Sequence, residues 1–268
     1  MPDIQLGVGL PAVVPGTPAG LLLEWAREAD GGPFSSLGVH DRLAWDGFEC
    51  LTTLAAAAAV TSRIGLASLV LITPLRSAAL LAKQLAAIGA LAGGRLTLGV
   101  GIGPRRDDYQ LAGARFGTRG RVLDEQLPEL RAHAARLMVG GGGDAALARM
   151  ARWSDGYVHG GGPARAFKTA ADRALAAWYD FGRTGSPRLV GTAYFALDGR
   201  AEEGREFLRR YYAFTGPFAE RIAGGLLTSR AEIAELAAGY AEAGCDELVI
   251  FPTVADLRQL AALAEALD

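Results

Sequence analysis

Lysine is nearly missing from this chain. Lys83 and Lys168 are its two lysines, and arginine supplies the rest of its 27 basic residues. Both fall inside predicted helices, which excludes Schiff-base and pyridoxal chemistries that need a lysine at the site. Histidine is almost as scarce, with His40, His133 and His159 making up the set. Three such scattered residues, His133 inside a predicted helix, cannot gather the clustered ligands of a zinc or iron centre, so no metal is expected. Cys50 and Cys245 are too few and too far apart for a disulfide framework. The sequence has neither a Gly-x-Ser-x-Gly elbow nor a Walker loop.

Charge of one sign is lacking too. Against 27 basic residues stand 29 acidic ones, a formal charge of −2, with no basic block. That argues against nucleic acid or an anionic membrane as partner. The longest apolar run, Ile64 to Leu75, is too short to cross a bilayer and contains Pro74. The opening Met1-Pro2-Asp3-Ile4-Gln5 lacks the basic residues of a secretory leader, and Pro11 and Pro15 interrupt the first apolar stretch. The expectation is a cytoplasmic protein.

What the chain has in abundance is apolar surface and glycine. Half of its residues are hydrophobic, 21% are charged and 36 are glycine. Short apolar runs alternate with longer stretches whose apolar residues recur every three or four positions. The strand candidates are Ile4–Leu10, Ser35–Val39, Ile64–Ile72, Arg95–Val100, Leu137–Val139, Gly156–His159, Arg188–Leu197 and Glu247–Phe251. Helices are expected at Ala19–Ala29, Phe48–Val60, Ala78–Leu91, Gly120–Ala135, Asp144–Arg152, Ala164–Phe181, Ala201–Ala223, Arg230–Ala243 and Asp256–Leu267. Strands separated by helices pair in parallel, because parallel neighbours need crossover connections. An open doubly wound sheet and a closed barrel both fit that alternation. Eight strands, 268 residues and no compositional break favour a single α/β domain, a (β/α)8 TIM barrel, which takes roughly 250 residues.

In such a barrel, function sits where strands run into the following helices. Those points carry backbone, small residues and two histidines, a mouth suited to a cofactor that brings its own reactivity. Gly140-Gly141-Gly142-Gly143-Asp144 leads from an apolar strand into a helix. Free N–H groups there, with the helix dipole behind them, suit an anion. Gly160-Gly161-Gly162 closes the next strand, and two adjacent glycine-rich exits match a barrel phosphate site. Tight turns are the plainer reading of the same glycines. Gly99-x-Gly101-x-Gly103 lacks the third glycine of a dinucleotide fingerprint, and Pro104 stands where the helix would start. It reads as close backbone packing beneath a flat ligand. His40, in His40-Asp41-Arg42, is the candidate catalytic residue, placed to donate to a ring carbonyl or move a proton. The alternative is a loop anchored by an Asp–Arg ion pair, and Asp41 and Arg42 are read as structural. His159 is assigned to a phosphate or ring edge, and His133 to a helix surface. Trp25, Trp153 and Trp178 read as core, Trp45 as a mouth-loop residue that covers a ligand.

The most specific wording runs from Ala82-Lys83-Gln84 through Gly93-Gly94-Arg95-Leu96-Thr97-Leu98-Gly99-Val100-Gly101-Ile102-Gly103. It continues through Asp107-Asp108-Tyr109, Gly113, Phe116, Arg119-Gly120 and Asp124-Glu125. This segment resembles the bacterial luciferase-like superfamily of flavin- and deazaflavin-dependent oxidoreductases. Thr61 to Leu66 with Pro74-Leu75-Arg76, Val139 to Gly143 with Asp155-Gly156-Tyr157, and Ala241 to Phe251 are similar to further segments of it. The resemblance implies a barrel that binds FMN, or the deazaflavin coenzyme F-420, noncovalently. It implies an oxidoreductase or monooxygenase acting on a small-molecule substrate, with a separate flavin reductase as partner. The cofactor ring would lie across the strand ends near Ser68, Leu69, Val70 and Gly101, where deazaflavin relatives carry a cis peptide bond. The phosphate contacts would map onto Gly141, Gly142, Gly143, Gly160 and Gly161, with His159 beside them.

Two departures qualify that picture. Pro104 replaces the acidic residue that many deazaflavin-dependent members carry after the strand-four glycines. The excursion typical of the family before the strand at Leu137 is absent, so a barrel with a reduced insertion between strands 4 and 5, and a more exposed cofactor ring, is expected. The alternatives are a flavin-binding homologue without turnover, and a barrel isomerase or lyase acting on a phosphorylated substrate. Helices Phe48–Val60 and Ala78–Leu91, with the small-residue face Ala55 to Ala59, are read as a homodimer interface.

Overall fold

The computed structural model describes residues 4–267, so Met1 to Asp3, read above for a leader, lie outside the described residues. Eight short apolar segments form β1 (Gln5–Gly9), β2 (Ser36–Val39), β3 (Gly65–Ile72), β4 (Leu96–Gly101), β5 (Arg136–Gly140), β6 (Gly156–His159), β7 (Arg188–Phe195) and β8 (Glu247–Pro252). They pair in parallel in chain order, and β1 closes the ring on β8 through Gln5–Glu247 to Val8–Ile250. Parallel strands are covered on both faces and carry near-continuous apolar runs, and all of β8 is buried. The expected (β/α)8 barrel is what the chain forms.

The outer layer comprises α1 (Ala19–Gly31), α2 (Cys50–Val60), α3 (Ala78–Ala92), α4 (Arg106–Leu111), α5 (Arg119–His133), α6 (Asp144–Trp153), α7 (Ala164–Asp180), α8 (Ala201–Tyr211), α9 (Phe218–Gly224), α10 (Arg230–Glu242) and α11 (Leu257–Leu267). Two differences from the sequence expectation matter. The single helix expected over Ala201–Ala223 is broken into α8, a 3-10 turn at Ala213–Thr215, and α9. Gly216 takes φ +60 there and Pro217 follows, and a proline donates no N–H to a continuing helix. The short α4 was not anticipated, because six residues are too few for a periodic signal. As expected, α5 and β5 are almost contiguous, with Ala134 and Ala135 alone between them.

Glycines inside the barrel make room for two large side chains. A Cβ at Gly9 would lie 2.1 Å from the Phe251 ring, and one at Gly38 would lie 2.8 Å from it. Val70 does the same on the other side, 2.9 Å from a Cβ placed on Gly101 and 3.0 Å from one on Gly140. Gly101 therefore admits Val70 by close packing, and it also lines the mouth of the barrel. At the foot of the barrel, Arg95 spans from β4 to the α2–β3 connection, donating to Thr61 Oγ1 and Ile64 O at 2.9 Å each.

The β2 exit is held by two separate ion-pair sets, not by one pair within the loop. Asp41, its carboxylate fully buried, accepts from Ile72 N at 2.8 Å and from Arg76 at 2.7 Å, and Arg76 also reaches Glu49. Arg42 instead bonds Asp108 at 2.8 Å and Asp107 at 3.0 Å. Removing one partner of a buried pair leaves the other charge without solvent or counter-ion. Arg76→Met is expected to cost about 3–5 kcal/mol, read as a lower calorimetric Tm. An unchanged Tm would show that Asp41 finds water instead.

Candidate active site

At the C-terminal mouth of the barrel lies a cavity of about 730 Å³. Pockets for drug-sized ligands span roughly 300–1,000 Å³. Its wall brings together His40, Leu69, Val70, Gly101, Gly141, Gly142, His159, Gly160 and Gly161, nine of the residues picked from sequence. Ser68 and Gly143 are placed elsewhere. Ser68 is fully buried within β3 and donates to Gly99 O at 2.8 Å, tying β3 to β4. Gly143 is the exposed N-cap of α6 at the edge of the wall. The Leu69–Val70 peptide bond is cis.

His40 stands at the β2 exit with its ring stacked on Phe251, centroids 3.7 Å apart. Its Nδ1 lies 2.7 Å from Leu69 O. A carbonyl oxygen can only accept, so Nδ1 carries the proton. Burial pulls the imidazole down from an ordinary 6.5 to about 4, and the charge of Arg105 adds to that, against the opposing Leu69 hydrogen bond. The ring is therefore neutral and Nε2 bare. Tyr194 OH, 3.0 Å from Nε2, donates to it, and Tyr212 OH donates in turn to Tyr194 across 2.7 Å. One carbonyl thus sets the direction of a three-member row. Burial pushes all three neighbouring phenols, Tyr194, Tyr211 and Tyr212, above the usual tyrosine range, so they remain proton donors.

The opposite end of the cavity is glycine backbone. Gly141 has φ +131, a conformation that glycine adopts freely. A Cβ on Gly142 or Gly160 would meet nothing within 4 Å. Arg173 braces this loop, donating to Gly142 O at 2.8 Å and to Asp144 at 2.7 Å. At the β6 exit, Gly161 N already donates to His159 Nδ1 at 3.3 Å, so that N–H is not free for an anion. Burial lowers the His159 value, which keeps it neutral as that acceptor.

Sequence reasoning missed the other half of the wall. Tyr211, Tyr212 and Phe214, from the end of α8 and the turn after it, line the cavity with Arg105 and Arg119. Trp45 does not face the cavity; it packs edge-on against Tyr211 at 5.1 Å and donates to Val13 O. The segment after β7 thus supplies a wall, although the α5–β5 connection supplies none. The break at Thr215-Gly216-Pro217 was the available signal, since a helix that stops there places its aromatic residues near the mouth.

The closed eight-stranded parallel barrel is a fold shared with luciferase-like proteins. Residues 5–136 match the family model described as luciferase-like monooxygenase. Uncharacterized proteins of Mycobacterium tuberculosis and Mycobacterium bovis are 37% identical over 140 residues, 42% of this chain and 48% of each relative. The match thus spans about half the length of those curated relatives. Among solved structures, an F-420-dependent secondary alcohol dehydrogenase in complex with an F-420–acetone adduct superposes with TM-score 0.81 at 14% identity over 98% of both chains. The coenzyme F-420-dependent tetrahydromethanopterin reductase of Methanopyrus kandleri gives 0.72 at 13%, again over 98% of both. The oxygenating constituent of 3,6-diketocamphane monooxygenase from Pseudomonas putida, in complex with FMN, gives 0.74 at 16%, over 100% of this chain and 96% of the other. Identities this low speak for the fold alone.

The fixed tautomer makes a direct prediction. His40 titrates with a midpoint near 4 in an NMR pH series, not near its ordinary 6.5. Between those values the unfolded chain binds the proton and the folded one does not, so stability rises with pH across the interval. The contribution is whole above 6.5 and lost as pH falls toward 4. A His40 midpoint at 6.5 would disprove the bare Nε2.

Proposed function

We propose that this chain is a luciferase-like oxidoreductase that holds FMN or the deazaflavin coenzyme F-420 noncovalently and acts on a small organic substrate. The observation carrying this reading is the meeting, in one cavity, of the glycine-rich β5 exit with the Leu69–Val70 strand exit and the His40–Tyr194–Tyr212 row. The residues fit such a group. The open space at Gly142 and Gly160 admits a phosphate that any Cβ would crowd, and the α6 N-terminus behind them favours negative charge.

When bound, the cofactor supplies hydride transfer or, as reduced FMN, activation of oxygen. The side chains do the rest. His40 Nε2 is the terminal acceptor of the row, so the Tyr194 and Tyr212 protons point toward it and the Tyr212 oxygen is left to accept a hydrogen bond from a substrate hydroxyl. Tyr211, Tyr212 and Phe214 exclude water from one side. Asp41, a carboxylate on the wall, is committed to Arg76, so the polar contacts offered to a substrate come from the phenols.

An absorbance scan of the purified protein with FMN or F-420 added tests the reading. A shifted cofactor spectrum supports it, and oxidation of reduced cofactor with substrate separates it from a flavin-binding homologue without turnover. Binding of neither cofactor would leave the phosphorylated-substrate isomerase or lyase. Gly142→Val is expected to weaken cofactor binding about tenfold or more with the fold unchanged, because nothing else occupies that space. Equal affinity in that variant would remove the phosphate from this loop.

A homodimer through α2 and α3 belongs to the same proposal. Leu80 and Leu91 are 59% and 54% exposed on α3, and Ala56 and Ala59 are exposed on α2 beside it. Leu80→Glu with Leu91→Glu is expected to convert a dimer into a monomer by light scattering, without loss of helix content. A wild-type monomer would overturn it.

A further inference from the structure

Four arginines line the cavity wall, and they differ in how their charge is met. Arg42 is bonded to Asp107 and Asp108, and Arg173 to Asp144. Arg119 stacks on Phe116 and donates to its carbonyl. Of the four, Arg105 is the most buried one that lacks a direct ion pair. It is 5% exposed, makes one hydrogen bond, from Nη2 to Tyr211 O at 2.7 Å, and leaves Nη1 buried without a partner. Asp107, two residues on, is paired with Arg42, and the oxygens of Asp108 are filled by Arg42 Nε and by the N–H groups of Leu43 and Ala44. A buried, unpaired cation is costly, and a ligand that completes it gains that energy.

The surroundings narrow the ligand. Tyr211 and Phe214 flank the guanidinium, with centroids 4.2 and 4.5 Å from Cζ. Contacts with two rings leave its in-plane N–H groups to do the hydrogen bonding, the geometry that matches a carboxylate. Phe214 is 48% exposed on the 3-10 turn and is the solvent-facing side of this arrangement. Arg105 stands with the tyrosine row: its charge acts on His40, Tyr194, Tyr211 and Tyr212. The glycine loop at β5 has its own arginine, Arg173.

From this geometry we infer that Arg105 is a substrate-binding residue and that the substrate carries a carboxylate, held by Nη1 beside the Tyr194–Tyr212 row. The inference rests on the proposed reading for its use in a reaction, but the anion site itself does not depend on a flavin.

The test uses matched probe pairs, hexanoate against hexanamide and phenylacetate against phenylacetamide. Each is titrated calorimetrically into the protein, with and without saturating cofactor. Each carboxylate is expected to bind about tenfold or more tighter than its amide, as a charge-assisted pair does. Arg105→Gln is expected to abolish the difference, and Arg105→Lys, which keeps the charge, to restore part of it. FMN and riboflavin affinities should both be unchanged in Arg105→Gln. Equal binding of acid and amide, or no binding of either acid, overturns the inference. So does a loss of FMN affinity without loss of riboflavin affinity, which would assign Arg105 to the cofactor phosphate. A preference for the carboxylates in a protein that binds neither FMN nor F-420 would leave the anion site standing and remove the flavin reading.

Discussion

Closure of the parallel sheet is the constraint on which the rest depends. A parallel strand must be covered on both faces, and its neighbour is reached only by a crossover helix. Once β1 hydrogen-bonds β8 through four successive pairs, no strand among the described residues is left as an open edge, and each of the eight ends at the same mouth. Residues far apart in the chain, such as His40, Gly142 and Tyr194, then line one cavity without any motif to link them.

Closing a small ring also requires that its interior be filled without being overfilled. Here two side chains dominate the upper layer, Phe251 from β8 and Val70 from β3. The strands facing them carry glycine where any Cβ would collide. That packing reaches into the site, since the Phe251 ring is the surface on which His40 stacks. The stack, the Leu69 carbonyl and the two hydroxyls hold one imidazole in one tautomer.

How much of this was legible in the sequence follows from where each signal resides. The eight strands and the major helices were readable because periodicity is local. The glycine-rich exits at Gly141 and Gly160 and the histidine at the β2 exit were readable because barrel function lies at strand ends. Several residues of the luciferase-like wording prove to hold the scaffold together. Arg95 pins the α2–β3 connection, Asp155 accepts from Leu137 N at 2.9 Å, and Asp124 holds Arg149. What the sequence hid depends on long-range contact. Nothing local says that Tyr211, beyond β7, meets Arg105, beyond β4, or that Ser68 turns its hydroxyl onto Gly99. The single helix expected across residues 201–223 concealed the aromatic wall by running through its Gly-Pro break.

The cavity is therefore polarised along its length. At one end, the glycine backbone and open space at the start of α6 form the place we propose for a phosphate. At the other, a neutral histidine, protonated phenols and an unmatched guanidinium suit an oxygen-bearing, anionic molecule. Neutral His40 and cationic Arg105 sustain each other. The guanidinium disfavours an imidazolium nearby, and a neutral ring leaves Arg105 as the cation that acts on the phenols without a direct ion pair of its own. Were His40 protonated, two cations would share a buried space and the tyrosine row would lose its terminal acceptor. The direction of the hydrogen bonds and the charge the site receives thus rest on the same fact, the Nδ1 proton given to the Leu69 carbonyl.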